Sequence, residues 1–152
     1  MLKIRYAEEA DMGEVMGLAR AMHAESPRFQ GSNFDTEKTY ALVSNLIASD
    51  KAAALVAEKD GVLCGMLGAV LTEDFFGRDL SAVDLVLFVT PEERGGSAAI
   101  RLIKEYEAWA ASSGAKNITL SISTGVHMER TVCLYEKLGY KMNSYSLIKN
   151  KD

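Results

Sequence analysis

Cysteine, histidine and proline are scarce, with two of each in 152 residues. Cys64 and Cys133 cannot build the disulfide framework of a small secreted domain, and no His, Cys or acid cluster has metal-ligand spacing, so no metal is expected. A long apolar run is missing too. The longest stretch, Leu63 to Leu71, is broken by Gly65 and Gly68 and falls far short of the ~20 residues a bilayer helix requires. No membrane partner follows. The opening MLKIRYAEEAD carries acids where a signal peptide needs an apolar segment, which makes a cytoplasmic, reduced protein the expectation. Basic charge is not in excess: 17 Lys and Arg stand against 21 Asp and Glu, for a net charge of −4. Such a chain has no field to hold a nucleic-acid backbone, and a small cationic acceptor suits it better.

What is present is a balanced composition, 48% hydrophobic and 25% charged, in a length that suits one domain over residues 1–152. Leu2, Ile4 and Tyr6 alternate with polar neighbours as in a half-buried strand. A helix follows, with Asp11 as its cap, Glu14 completing a capping box, and Met12, Val15, Met16, Ala19 and Met22 on one face. A second helix is predicted from about Thr36 to Ser49, with Tyr40, Val43 and Ile47 inward. Ala53–Glu58 and Val62–Leu71 read as a hairpin through Asp60-Gly61, and Ala82–Val89 as a central strand interrupted by Asp84. A helix from about Ser97 to Ser113, a strand through Ile118, Leu120 and Ile122 as far as Ser123, a helix from about Glu129 to Leu138 and a final strand beginning near Tyr140 complete the chain. The order is β-α-α-β-β-β-α-β-α-β, an α/β (α+β) fold whose mixed sheet carries helices on both faces.

The most informative stretch is Val89-Thr-Pro-Glu-Glu-Arg-Gly-Gly-Ser-Ala-Ala-Ile100. A strand ends, small residues turn the chain, and an amphipathic helix begins. Free N–H groups at a helix start, with the positive end of its macrodipole, attract phosphate, and small residues allow close approach. Arg94 adds a charge. Neither a Walker loop nor a dinucleotide fingerprint is present. Farther on, Cys133-Leu-Tyr-Glu-Lys-Leu-Gly-Tyr140 closes a short helix on a glycine.

In these two segments the sequence resembles the GNAT N-acetyltransferase superfamily. Arg94, Ser97 and Ala99 fill the positions of its Gln/Arg-x-x-Gly-x-Gly/Ala signature, and the second segment is similar to its Leu-Tyr-Glu-Lys-Leu-Gly-Phe motif. The resemblance implies a single GNAT-like domain with a mostly antiparallel sheet, and acetyl-CoA as cosubstrate. Its pyrophosphate is expected on the backbone of Arg94, Gly95, Gly96, Ser97, Ala98 and Ala99, and its pantetheine arm along Phe88 and Val89. Ser97 adds a Cβ where the family has glycine, and Met128 stands where an Asn is common.

The implied chemistry is direct attack of an amine on the thioester in a ternary complex. Tyr135 is the candidate acid for the departing sulfur: a phenol titrates near ~10 and keeps its proton at neutral pH. Asp84 is the first candidate for the base, since an ionised group within a central strand needs a cleft or a partner. Glu73 and Asp74 are the fallback, and a structural ion pair or cap is the alternative reading of Asp84. His23 and Glu25 read as solvated residues beside the acceptor-binding segment, and His127 as a helix-start residue or a contact. Cys133 lies two positions from Tyr135 and so on another side of the helix, which argues against an acetyl-cysteine. The acceptor is an amine, whether a small molecule, a protein lysine or an N-terminus, and a homodimer accords with the family. Two other readings stand beside this one: a non-catalytic CoA-binding regulatory module, and an acyltransferase with a different acyl-CoA.

Overall fold

The computed structural model describes residues 1–122 and 127–151. Strand β1 (Leu2–Tyr6) leads to helices α1 (Met12–Glu25) and α2 (Thr36–Ala48), then to β2 (Ala52–Lys59), β3 (Val62–Glu73) and β4 (Leu80–Val89). Helix α3 (Ala98–Ser112), strand β5 (Asn117–Thr119) and helix α4 (Met128–Lys137) follow. The five strands lie in sequence order. β1 to β4 pair antiparallel and β4 pairs β5 in parallel, the mixed, mostly antiparallel sheet that the sequence predicts.

The β2–β3 turn is set by local chemistry. Asp60 and Gly61 take φ values of 52° and 80°, the two positive dihedrals that a two-residue hairpin with right-handed strand twist requires. β3 is apolar along most of its length because both faces are covered. Leu55 and Leu67 point with Leu102, Ile103 and Tyr106 into one core, while Val56, Met66 and Phe88 meet Val15 and Leu18 in another. Neighbours in sequence therefore serve opposite cores, as the period of two demands. Gly65 and Gly68 interrupt β3 because a Cβ there would stand 3.2 Å from the Phe88 carbonyl and 3.2 Å from Val86 Cγ1.

Three local expectations are corrected. Asp11 does not cap α1 through its side chain: its carboxylate takes the Arg5 guanidinium at 2.7 and 2.9 Å and accepts the Glu8 N–H at 2.7 Å. A bidentate, charge-assisted pair outcompetes a neutral cap contact, and Arg5 holds the Asp11 carboxyl below the usual carboxylate range. Glu14, freed from the capping box, accepts the Leu63 N–H at 3.0 Å. Tyr40 is half exposed and Leu46 takes the buried place on α2, since the helix meets the sheet through its last turns.

The final strand also differs. Tyr140 stays with the domain through a 2.8 Å hydrogen bond from its hydroxyl to Glu107, but residues 141–151 form no strand. β5 offers only three paired residues, too short an edge to template another strand, and Tyr145 and Leu147 lie exposed.

Candidate functional site

The site is a divergence between two parallel strands. β4 and β5 pair only at Ser81–Asn117, Ala82–Ile118 and Val83–Thr119, after which β4 continues to Val89 with no strand on that side among the described residues. Two side chains hold the fork. The Tyr106 hydroxyl donates to the Thr119 carbonyl at 2.9 Å, and both Asp84 carboxylate oxygens accept the Ser121 N–H, at 3.0 and 3.1 Å. Asp84 is buried, and desolvation raises its proton affinity above the ordinary carboxylate value while the Ser121 contact opposes the rise. Ser123, the expected end of this strand, lies outside the described residues.

β4 is also out of phase with itself. Asp84 pairs with Ala69 and Val86 with Gly68, so Leu85 is an extra residue, a β-bulge beside the fork. Ala82 and Asp84 face α3, as Leu87 and Val89 do beyond the bulge, while Val86 and Phe88 face α1 and α2. Leu85 itself is half exposed.

At the end of β4 the chain turns through Pro91–Glu93 and reaches α3. Gly95 sits at φ +86°, a dihedral that L side chains rarely adopt, and a Cβ on Gly96 would stand 3.3 Å from the Glu93 carbonyl. Among the described residues no side chain caps the start of α3, whose first residue, Ala98, is buried. The N–H groups of Arg94 and Gly96 reach the Pro91 and Glu93 carbonyls through long bonds of 3.3 and 3.4 Å. The Arg94 guanidinium is not a free phosphate ligand here. Its Nε donates to the Val89 carbonyl at 2.9 Å, its other end clasps Glu25 at 2.7 and 2.8 Å, and it lies 5.5 Å from the Phe88 ring. Glu25 is therefore a half-buried ion-pair partner and not the solvated residue that the sequence suggests. A separation of 69 positions leaves no local trace of such a pair.

Tyr135 stands buried on α4, packed into the α3-side core, while Cys133 on the same helix is exposed, as the two-residue spacing predicts. Burial first, and the Asp84 charge second, push the Tyr135 phenol up to about 12. Its ring lies 6.2 Å from that of Tyr140. The structure thus brings Tyr135 and Asp84 into electrostatic contact on one side of β4. Glu73 and Asp74 are elsewhere. Glu73 pairs with Leu80 at the far end of the β3–β4 hairpin, roughly 13 Å along the strand from Ala69, and both acids are exposed, beside Arg78 and Ser81. His127 precedes α4 at φ 46° and its carbonyl accepts the Thr131 N–H, the helix-start role; Met128 is half exposed.

The opposite side of β4 opens into a cavity of about 390 Å³ between the sheet and helices α1 and α2. Met22, Phe34, Val43, Leu46, Leu85 and Val86 are among its walls. His23 is held at its edge between Phe29 and Phe34, with Nε2 2.9 Å from the Ser32 carbonyl. The sequence did not reveal this space. Its lining comes from α1, α2, the segment between them and strands β2, β3 and β4, and the apolar faces of the two helices hinted at only part of it.

Comparison with known proteins identifies the family. A model described as the acetyltransferase (GNAT) family matches residues 12–140. The IAA acetyltransferase of Azospirillum brasilense is 30% identical over 118 residues, which are 76% of this chain and 72% of that protein. Two solved structures share the fold. An aminoglycoside acetyltransferase from an uncultured soil metagenomic sample superposes with a TM-score of 0.75 at 21% identity, covering 100% of this chain and 99% of the other. Glucosamine-6-phosphate N-acetyltransferase from Arabidopsis thaliana does so with a TM-score of 0.74 at 19% identity, with coverage of 100% and 99%.

Proposed function

Because the chain belongs to the acetyltransferase (GNAT) family, we propose that it moves the acetyl group of acetyl-CoA onto a primary amine by direct attack in a ternary complex. The observation that carries this reading is the fork of β4 and β5, with an uncapped helix start at one end and a buried tyrosine beside it. The donor fits these residues. The N–H groups of Gly95, Ser97, Ala98 and Ala99 offer a pyrophosphate the positive end of α3, and the small residues leave room for it. Arg94, tied to Val89 and Glu25, braces that turn and adds positive charge near it. Beyond Val83 no strand pairs with β4 on the fork side among the described residues, which leaves space beside Phe88 and Val89 for the pantetheine arm, with the Val89 carbonyl already accepting from Arg94 Nε.

In the proposed step the amine nitrogen bonds to the thioester carbonyl carbon and the carbon–sulfur bond breaks. Tyr135 gives its proton to the sulfur and regains one from solvent, and the amine's surplus proton passes to Asp84 through solvent in the fork. A phenol held at about 12 is fully protonated at neutral pH, as an acid must be. One observation favours a second role for Asp84: with both oxygens on the Ser121 N–H, its carboxylate also positions the segment that follows β5 and keeps Tyr135 protonated. The same proposal takes residues 1–152 as one acetyltransferase domain, with Cys64 and Cys133 as thiols in a cytoplasmic setting and a second copy of the chain as a candidate partner.

CoA release measured with acetyl-CoA against a panel of amines tests the reading. Amine-dependent release is expected. Tight acetyl-CoA binding without release for any amine would leave a CoA-binding module, and a faster reaction with a longer acyl-CoA would change the donor.

A further inference from the structure

We infer that the acceptor is a monoamine with an apolar body, alkyl or aryl, and not a polycation. This deepens the acetyltransferase reading and rests on it. The cavity on the α1–α2 side of β4 has a volume of about 390 Å³, within the ~300–1,000 Å³ that holds small organic ligands. Leu85, the bulged residue of β4 beside the fork, and Val86 form part of its wall, so an amine whose body fills the cavity lies against the proposed reacting strand.

The walls carry almost no charge for a polycation to meet. Asp35 is the only carboxylate among the lining residues, and it is already engaged as the cap of α2, accepting the Lys38 N–H at 2.9 Å. Lys38 lines the same cavity and carries the opposite charge. His23 lies stacked on Phe29 and edge-on to Phe34, with its Nε2 at the Ser32 carbonyl. Several ammonium groups would lose their hydration here without finding partners, which is costly for each. A single amine gains twice over. Its body is removed from water against Met22, Phe34, Val43 and Leu46, and the low-polarity surroundings disfavour its ammonium form, leaving more of the neutral nucleophile. The net charge of −4 does not contradict this, because the acids responsible for it lie elsewhere on the surface.

The test compares kcat/KM for n-butylamine, n-hexylamine, 2-phenylethylamine, spermidine and neamine at saturating acetyl-CoA. Hexylamine and phenylethylamine are expected to exceed both butylamine and spermidine by about tenfold or more, as added apolar atoms fill the cavity. Spermidine or neamine equalling them, with CoA released, overturns the inference and leaves the acetyl-transfer reading standing. Leu42→Asp, at a half-exposed cavity position on α2, should lower the hexylamine value about tenfold and spare spermidine. An unchanged hexylamine value in that folded variant also overturns it. If acetyl-CoA binds and no amine releases CoA, the acetyl-transfer reading fails, and calorimetry with hexylamine decides the cavity alone. Binding that weakens in Leu42→Asp supports an apolar ligand, and no binding to the parent overturns one.

Discussion

The two sides of β4 are built on different terms. Toward α3 the strand meets a filled core, with Leu102, Ile103 and Tyr106 fully buried and Tyr135 nearly so. Toward α1 and α2 the same strand borders open space of about 390 Å³. The polar groups divide accordingly. On the α3 side, Asp84, Tyr106, Tyr135 and Tyr140 all shift toward their protonated forms, and burial is the largest cause for each. On the proposed reading, the difference assigns proton chemistry to the packed face of the strand and acceptor choice to the face left unpacked.

Removing the hydroxyl from the packed side is the severest challenge to this division. Tyr135→Phe keeps the ring in its core, so stability and acetyl-CoA affinity should change little, while kcat falls by roughly 10²-fold. Single-turnover kinetics checks this, and an unchanged chemical step would make Tyr135 a packing residue.

Asp84→Asn separates charge from shape. Burial raises the folded-state proton affinity of Asp84, so the stability held by its protonated form is lost as pH rises through that value. An Asn oxygen can still accept the Ser121 N–H without a buried charge. The variant should therefore unfold at a higher temperature than the parent at neutral pH, with the gap closing in acid, where the parent is protonated too. Activity should move the other way, falling about tenfold near neutral pH and recovering at high pH, where the amine loses its proton unaided. A constant fractional loss across the pH range assigns Asp84 to positioning alone.

Arg94 links the two sides, since it holds the turn before α3 and grips Glu25 at the end of α1. Arg94→Ala should weaken acetyl-CoA binding about tenfold by calorimetry. Glu25→Gln, which loosens the grip and keeps the charge on Arg94, should act on acceptor KM more than on donor affinity. Equal effects on both would merge the two surfaces into one. Ser97→Gly should be the mildest change, with donor affinity held or slightly improved.

How much of this was legible beforehand follows the range of each interaction. The Asp60-Gly61 hairpin, the strand-turn-helix at Arg94 to Ala99 and the Tyr135 helix are written in neighbouring residues, and all three are legible there. Asp11 looked like a cap because its partner, Arg5, sits on a strand whose approach no local pattern encodes. Glu25 looked solvated for the same reason. The strand expected at Tyr140 had adequate local chemistry but a neighbour, β5, too short to receive it. The cavity beside α1 and α2 is the least legible feature: an empty volume belongs to no residue, and its walls are brought together only by the docking of the two helices.

Leu85 makes β4 a strand with two phases. Deleting that one residue would set Val86 next to Asp84 and still opposite Gly68, so Val86 and Phe88 would go on facing α1 and α2, and Leu87 and Val89 would go on facing α3; only the local kink beside the fork would be lost. The bulge is therefore an inserted letter in an alternating code, and its removal straightens the strand without changing what either face reads.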